Sequence, residues 1–523
     1  MTDSGDPSDG STAASSDEVD YGGISGLREF FGETTMHGVQ YTFRGGLLLR
    51  FVWLLGVLGC LCGFFYFFIT AAINYAGFPS NTKVDIITAD SLPTPAITIC
   101  NSNVALASGV AKSLRNLAFL CRTYNLTVID DARGCPFTAQ QRDTLTESDT
   151  RLPAEIIQEI GQSKENMVLD ELVRSLSTNG TVYTYENSSS FITFITALGL
   201  CHTYNADGRF PYQTTIGVNG GRRFIINVNQ NEYAGITLLS AGVEVYIHNP
   251  GELVQRGQHA IYVGPGQRAN IAVKPARRHI LGSPYRTPPC TNENLNRDKS
   301  LPYSPARCEL DCQNQYIAEE CECLPLTVSA GVTLTLPSGR RVSRYCSVQE
   351  YFSCSSLLDY AFHNNVSVYS ECRSRCLLPC EAPPNTYIYG SALSWDLFPN
   401  FIASELIIEV LTDFGLYDNP RNITTNLQLV RENFAQINVF YESLSYERID
   451  EQVSVTLSTL FGSVGGNLGL FIGASMLTLL EFGQYITRFF IARFRRLRRQ
   501  EKDIWQKDDA SNDTALDDVV ASS

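Results

Sequence analysis

The residues best placed to do chemistry lie between Gln452 and Leu480, QVSVTLSTLFGSVGGNLGLFIGASMLTLL, a stretch of 29 residues without a formal charge that closes on Glu481. Gly462, Gly465, Gly466, Gly469 and Gly473 crowd its middle, among Ser454, Ser458, Ser463, Asn467, Ser475 and Thr478. A bilayer takes about 20 apolar residues to cross, so the length suffices, yet lipid tails leave these hydroxyls and the amide unsatisfied. Two chemistries fit. Gly465 and Gly469, and Gly469 and Gly473, stand at the small-xxx-small spacing that lets helix backbones touch. Alternatively, the glycines free backbone carbonyls that, with the Ser475 hydroxyl and the Asn467 amide, face water and passing ions. This stretch by itself leaves both open.

The elements that must position it begin with a second apolar stretch, Phe51 to Thr82, which also lacks formal charge; Leu47 to Ile73 is its spanning part. Arg44 and Arg50 flank it, and six arginines from Arg488 to Arg499 follow the later stretch, which puts both termini in the cytoplasm and anionic lipid beside the arginines. The N-terminus is acidic and shows no apolar signal-peptide core, so the first span is its own anchor. The domains expected are a cytoplasmic tail (1–45), a first membrane helix (46–74), an extracellular domain (75–450), a second, pore-lining helix (451–487) and a cytoplasmic tail (488–523). The net charge of −14 is unevenly spread, with eight acids against one arginine over residues 1–43 and seven acids against two lysines over residues 500–523, and the basic residues form one cluster beside the membrane, which argues against a nucleic-acid binder.

Cysteine usage agrees with that topology. Of 16 cysteines, Cys60 and Cys62 sit in the first apolar stretch and the other 14 lie between the two stretches, as disulfides of an oxidising compartment would. The same segment holds sequons at Asn125, Asn179, Asn187, Asn365 and Asn422, sites of surface glycans where used. Cys321 and Cys323 with Cys308 and Cys312 imitate a zinc cluster, but ligand histidines are missing nearby, so no metal and no other cofactor is expected. No nucleophile motif, zinc signature or phosphate loop points to an enzyme.

Between the apolar stretches the periodicity changes along the chain. VDIITADSLPTPAITIC alternates and ends β-branched, predicting strand, whereas residues 104–121 and 153–176 carry helical spacing and predict a helical subdomain that projects from a sheet. Four strand-like runs follow over residues 196–290. Ten cysteines then lie from Cys290 to Cys380; those at i and i+4 share a helix face, so two antiparallel segments can be stapled in rungs. FPNFIASELIIEVLTDFG reads as an amphipathic helix, and AQINVFYESLSY as a strand leading into the second apolar stretch.

These motifs resemble the DEG/ENaC family of amiloride-sensitive sodium channels. The likeness rests on His37-Gly38 before the first apolar stretch, TPAITICN after it, GLCHTYN, the ten-cysteine block and GGNLGLFIGASMLTLLE, and it runs from His37 to about Glu481. The resemblance implies an α+β membrane protein of the plasma membrane. It has two transmembrane helices and a large disulfide-rich ectodomain of wrist, palm, β-ball, finger (about 102–196), thumb (about 290–385) and knuckle (about 398–415). It is assembled as a homotrimer.

The resemblance also implies the pairs Cys100–Cys201, Cys290–Cys380, Cys308–Cys376, Cys312–Cys372, Cys321–Cys354 and Cys323–Cys346, leaving Cys121 and Cys135 to each other. It further implies a selectivity filter of Gly473, Ala474 and Ser475, and amiloride block at Gly469. Gly462 matches a site where bulky residues hold the channel open, and His37 and Gly38 match a gating pair. Gly466 and Ser463 line the pore; Ser463 is a departure, because acid-sensing members often carry aspartate there. Glu481 either attracts Na⁺ at the inner mouth or snorkels to the interface.

For the opening signal, the chain looks most like the invertebrate FMRFamide-gated sodium channels. It has Ser80 where acid-sensing members bear a histidine, and PYRTPPC, with Thr287 or a neighbour, where they bear a tryptophan. An amidated extracellular peptide would need aromatic walls and a carboxylate, and the finger offers Phe119, Tyr124, Tyr185, Phe191 and Phe194 with Asp130, Asp131, Asp170 and Glu171. Proton gating or constitutive activity is the alternative within the family. Outside it stand a non-conducting receptor, which leaves the polar second stretch unexplained, and an ATP-gated channel, which would need a lysine-rich phosphate site.

Overall fold

The computed structural model describes residues 31–498 apart from 33, 35, 44–45, 127–134, 170–187, 197–198, 210–211, 235–239, 253, 255–258, 292–302, 329–330, 365, 382–385, 398–422, 476, 479, 492 and 496. The backbone forms two compact units: residues 81–452, and residues up to 80 together with those from 453 onward.

Two sheets organise the larger unit. The first runs in the order β1 (Ser80–Thr88), β13 (Ser445–Val453), β8 (Gln267–His279), β12 (Phe434–Tyr441), β5 (Arg222–Asn227), and β11 (Ile388–Leu397) also pairs with β8. Strand β12 is antiparallel to β5 and parallel to β8. Its Ala435, Ile437 and Val439 meet Ala269, Ile271 and Val273 of β8 in one buried apolar core. The alternation of those residues with polar ones is the period-two pattern of a sheet with one face covered. The second sheet is antiparallel throughout, in the order β3 (Phe191–Thr196), β4 (Gly199–Tyr204), β2 (Ala96–Asn101), β6 (Val243–His248), β7 (Ile261–Val263). Cys100 and Cys201 stand opposite each other across β2 and β4 and are bonded.

From the second sheet projects a helical lobe: α1 (Leu114–Thr123), α2 (Ala139–Glu147) and α3 (Pro153–Ile160). Ser113 and Thr138 accept backbone hydrogen bonds from Arg115 and Gln141 and so start α1 and α2. Phe119, Leu120, Ile156, Ile157 and Ile160 bury one apolar core, and Cys121 is bonded to Cys135.

A second lobe is a stapled rod. Its long helix α4, Pro305–Cys321, starts at the Ser304 cap and is tied to α5, Val366–Arg375, and the turn after it by Cys312–Cys372 and Cys308–Cys376. Cys290–Cys380 closes the base, and Cys321–Cys354 and Cys323–Cys346 hold the far end. The expected amphipathic helix at 398–415 lies outside the described residues.

In the smaller unit, α6, Leu47–Ala76, is the one helix among the described residues long and apolar enough to cross a membrane. Its 30 residues reach about 45 Å. The second apolar stretch, expected as a pore-lining helix over 451–487, is helical in separate pieces. Helix α7, Leu457–Ile472, has 16 residues, or about 24 Å, and stops at Gly473, whose φ of 65° is left-handed. The chain is helical again at 477–478 and 480–491. Glycine supplies the conformation that ends the helix, so the polar residues of the motif stand at the break.

Candidate pore segment and a half-buried carboxyl

Gly473, Ala474 and Ser475 form that break. The Gly473 N–H still donates to the Gly469 carbonyl at 3.0 Å. Ser475 opens the next helical segment: its backbone N–H donates to Thr478 Oγ1 at 3.1 Å, and the Thr478 N–H donates back to Ser475 Oγ at 3.4 Å. This reciprocal cap fixes the Ser475 side chain at a helix start, where hydroxyl residues are favoured.

His37 and Gly38 pack against the same break. The His37 N–H donates to the Ile472 carbonyl at 3.2 Å, satisfying an acceptor that the end of α7 leaves free. The His37 ring lies where a Cβ on Gly473 would stand. Gly38, with φ of 84°, lets the chain turn under α6; a Cβ there would sit 3.4 Å from both Trp53 and Val57. Tyr41 stacks on Trp53 with ring centroids 4.8 Å apart. On the other side of the break Phe471 stacks on Phe67 and presses on Gly63, where a Cβ would lie 2.9 Å from its ring. Gly63 carries no signal in the sequence, because its partner is 408 positions away.

The remaining glycines behave differently. Gly462, Gly466 and Gly469 recur at i, i+4 and i+7 and so share a helix face, which is exposed, as are Gly465 and Ser463. A Cβ at Gly462, Gly465 or Gly466 would meet nothing within 4 Å. Among the described residues of one chain, therefore, no packing requires these three, and the small-xxx-small reading gains nothing from contacts among them. Asn467 is half-buried, as is Glu481.

A profile described as "Amiloride-sensitive sodium channel" matches residues 30–485. The chain belongs to that family. It is similar to acid-sensing ion channel 1C of Danio rerio, with 25% identity over 90% of this chain and 85% of the relative. It is also similar to acid-sensing ion channel 1 of Gallus gallus, at 26% over 90% and 85%, and to acid-sensing ion channel 4 of Mus musculus, at 27% over 91% and 82%. The amiloride-sensitive sodium channels are ion channels of the plasma membrane rather than enzymes, and membership brings Na⁺ as the permeant ion and amiloride as the blocker.

In this family member the described residues among those expected to hold a peptide, Phe119, Tyr124, Phe191 and Phe194, do not gather into one pocket. Phe119 is buried against Tyr351 and Phe352 and Phe191 against Tyr204 and Phe224, while Phe194 is half-buried beside the Cys100–Cys201 bond, in three separate apolar clusters. Tyr124 is half-buried at the edge of the Phe119 cluster. Asp130, Asp131, Asp170, Glu171 and Tyr185 lie outside the described residues, as do Asn179, Asn187, Asn365 and Asn422; Asn125 is exposed.

Glu252 is a site residue that the sequence does not announce. It follows β6 in the turn Asn249-Pro250-Gly251, and its carboxylate accepts from the Asn249 N–H at 3.1 Å and from Asn249 Nδ2 at 3.0 Å. Asn249 in turn binds the backbone of Tyr387 at both ends, at 2.9 and 2.7 Å, just before β11. The site thus joins the second sheet to the first. Burial raises the Glu252 pKa above the ordinary carboxylate value, against the two Asn249 bonds that lower it. A carboxyl three residues after an asparagine at a turn ordinarily reads as a turn cap, which is why its burial is not legible in the sequence.

Proposed function

We propose that the chain is a sodium channel opened by extracellular acid, with Glu252 as a proton-binding group. In this reading the chain crosses the membrane twice, keeps both termini in the cytoplasm and assembles as three copies. The bare faces of Gly462, Ser463, Gly466 and Gly469 converge on the pore, and Gly473, Ala474 and Ser475 form a narrow ring of backbone and hydroxyl oxygens that replaces hydration water around Na⁺. His37 and Gly38 brace the ring from below.

The observation that carries acid gating is the contrast among carboxyls. Arg344 holds Glu350 down to about 2, Arg268 holds Asp396 down, and at Asp149 the pairing with Arg151 overcomes burial. Among the described carboxyls, Glu252 moves in the opposite direction, because burial disfavours its charge. Around it stand Tyr389 of β11 and, beside Tyr389, Tyr387 and Tyr441, with Arg277 over the Tyr387 ring. A carboxyl with a raised pKa binds its proton better in this conformation, so acidification favours this conformation over any that exposes Glu252. The relatives' own names, acid-sensing channels, support the same stimulus.

His202 and His248 pull the other way. Burial lowers each to about 4, so each is neutral in the fold and gains a proton more readily when released. Their stabilisation is complete above the ordinary histidine value of 6.5 and fades as pH falls toward 4. Acid opening by this protein is therefore expected to peak above the range in which its second sheet weakens.

Current recorded from cells expressing the chain decides the matter. The expected result is an amiloride-blocked Na⁺ current on an acid step, with its midpoint moved to higher pH by Glu252→Gln, whose amide stays neutral as the protonated carboxyl does, or with the channel left open without acid. A current evoked by an amidated Phe-Met-Arg-Phe peptide with none on acidification would overturn acid gating and restore the peptide reading.

A further inference from the structure

The stapled lobe meets the rest of its unit at its base, where the Ile280 N–H donates to the Cys380 carbonyl at 2.8 Å and the Thr291 N–H to the Leu378 carbonyl at 2.9 Å, beside Cys290–Cys380. The segment leading into the lobe, residues 280–290, carries Arg286. Its Nη1 donates to Glu451 Oε1 at 3.1 Å, while the other carboxylate oxygen, Oε2, accepts from the Leu281 N–H at 3.1 Å. Glu451 immediately follows the last paired residue of β13 along β8, Asp450 opposite His279. Six positions later α7 begins at Leu457.

We propose that the Arg286–Glu451 pair is a gating latch: it makes the base of the stapled lobe and the strand that enters the pore segment move as one. The coupling is mechanical. Residues 280–290 would otherwise absorb a movement of the lobe, as loops do. One carboxylate held from both sides, by a backbone N–H and a guanidinium, removes that slack at two points of the segment, Leu281 and Arg286. The pair is partly covered, with 36% and 22% of the two side chains exposed, so it is weakened by water but not dissolved in it. Other charges at this corner are Arg448 paired with Asp450 at 2.8 Å, and Glu381, whose backbone bridges to His279. Arg448 thus has its own partner. The two residues act through position, not by touching the ion.

The latch rests on channel activity, not on which stimulus opens the channel. Full-length protein carrying Arg286→Glu, Glu451→Arg or both is expressed in cells, with surface amount read by biotinylation and current normalised to it. Each single reversal is expected to shift the half-activating stimulus by about five-fold, the scale of a weak coupling, or to leave an amiloride-blocked resting current. The double reversal re-forms the ion pair but not the Leu281 bond, because an arginine at 451 cannot accept from a backbone N–H, so it recovers part of the loss and is less impaired than the two singles combined. Single reversals that leave activation unchanged, or a double reversal as impaired as the two singles combined, would overturn the latch. Should a reversal fail to reach the surface, Glu451→Gln and Arg286→Gln, which keep approximate size and remove charge, decide the same question: shifted activation for the latch, unshifted against it. The wild-type arm separately reports whether acid is the stimulus, since a channel opened by peptide alone still yields the coupling.

Discussion

The stapled lobe and the pore break are held together by opposite means. In the lobe, side chains are joined: cysteines one turn apart on α4 meet cysteines on and just beyond α5, so the two segments are fixed whatever the packing between them. At the break, side chains are missing: the His37 ring and the Phe471 ring occupy the space that Gly473 and Gly63 leave open. A covalent rung resists displacement in every direction. A ring seated on a glycine resists only approach, and it can slide or leave. The two regions thus differ in what holds them, bonds in one and seated rings in the other.

The sharpest way to break that contrast is to fill the break. Gly473→Val places a branched side chain at a left-handed φ of 65° and into the His37 ring. The conformation costs about 1–2 kcal/mol and the lost His37–Ile472 hydrogen bond about 1 kcal/mol more. The expected outcome is near-complete loss of Na⁺ current at undiminished surface amount. Wild-type current from the variant would show that the break is not where ions pass or are gated.

Removing a rung should do less. Cys312–Cys372 spans 60 positions but lies inside Cys308–Cys376, which already closes 68, so little additional chain entropy is removed. Cys312→Ser with Cys372→Ser is expected to cost about 2 kcal/mol, toward the low end for a native disulfide. Limited proteolysis of the lobe measures it as faster cleavage, with current reduced but present. If current vanished while proteolysis stayed slow, the rung would serve gating directly and the comparison of rigid lobe with yielding break would fail.

How far the sequence reaches follows from the same contrast. The rod is visible because cysteines at 308 and 312 fall on one helix face, although spacing does not choose which cysteine each meets. Strands β2, β4 and β8 are legible from β-branched alternation. Long-range contacts leave no such trace. That Gly63 receives Phe471, that half-buried Glu252 lies between two sheets, and that Arg286 reaches Glu451 depend on residues between 137 and 408 positions apart. The break itself is half legible: five glycines mark the stretch as unusual, but only the backbone at Gly473 shows which one ends the helix.

Gly466→Ala is the smallest change and the most discriminating. Outside its own helix turn, no described atom of the chain lies within 4 Å of the added methyl group, and an exposed helical glycine replaced by alanine gains roughly 0.5–1 kcal/mol of helix stability. An isolated chain should therefore tolerate it or become slightly more stable by thermal unfolding in detergent. Any loss must come from something outside the chain. If the face lines a pore shared among copies, single-channel conductance falls or amiloride block weakens while stability holds. If the face is where copies pack, assembly weakens on a native gel with conductance unchanged. The two outcomes separate the readings that the glycines alone leave open, pore lining and close helix packing, at a position where the chain's own contacts contribute to neither.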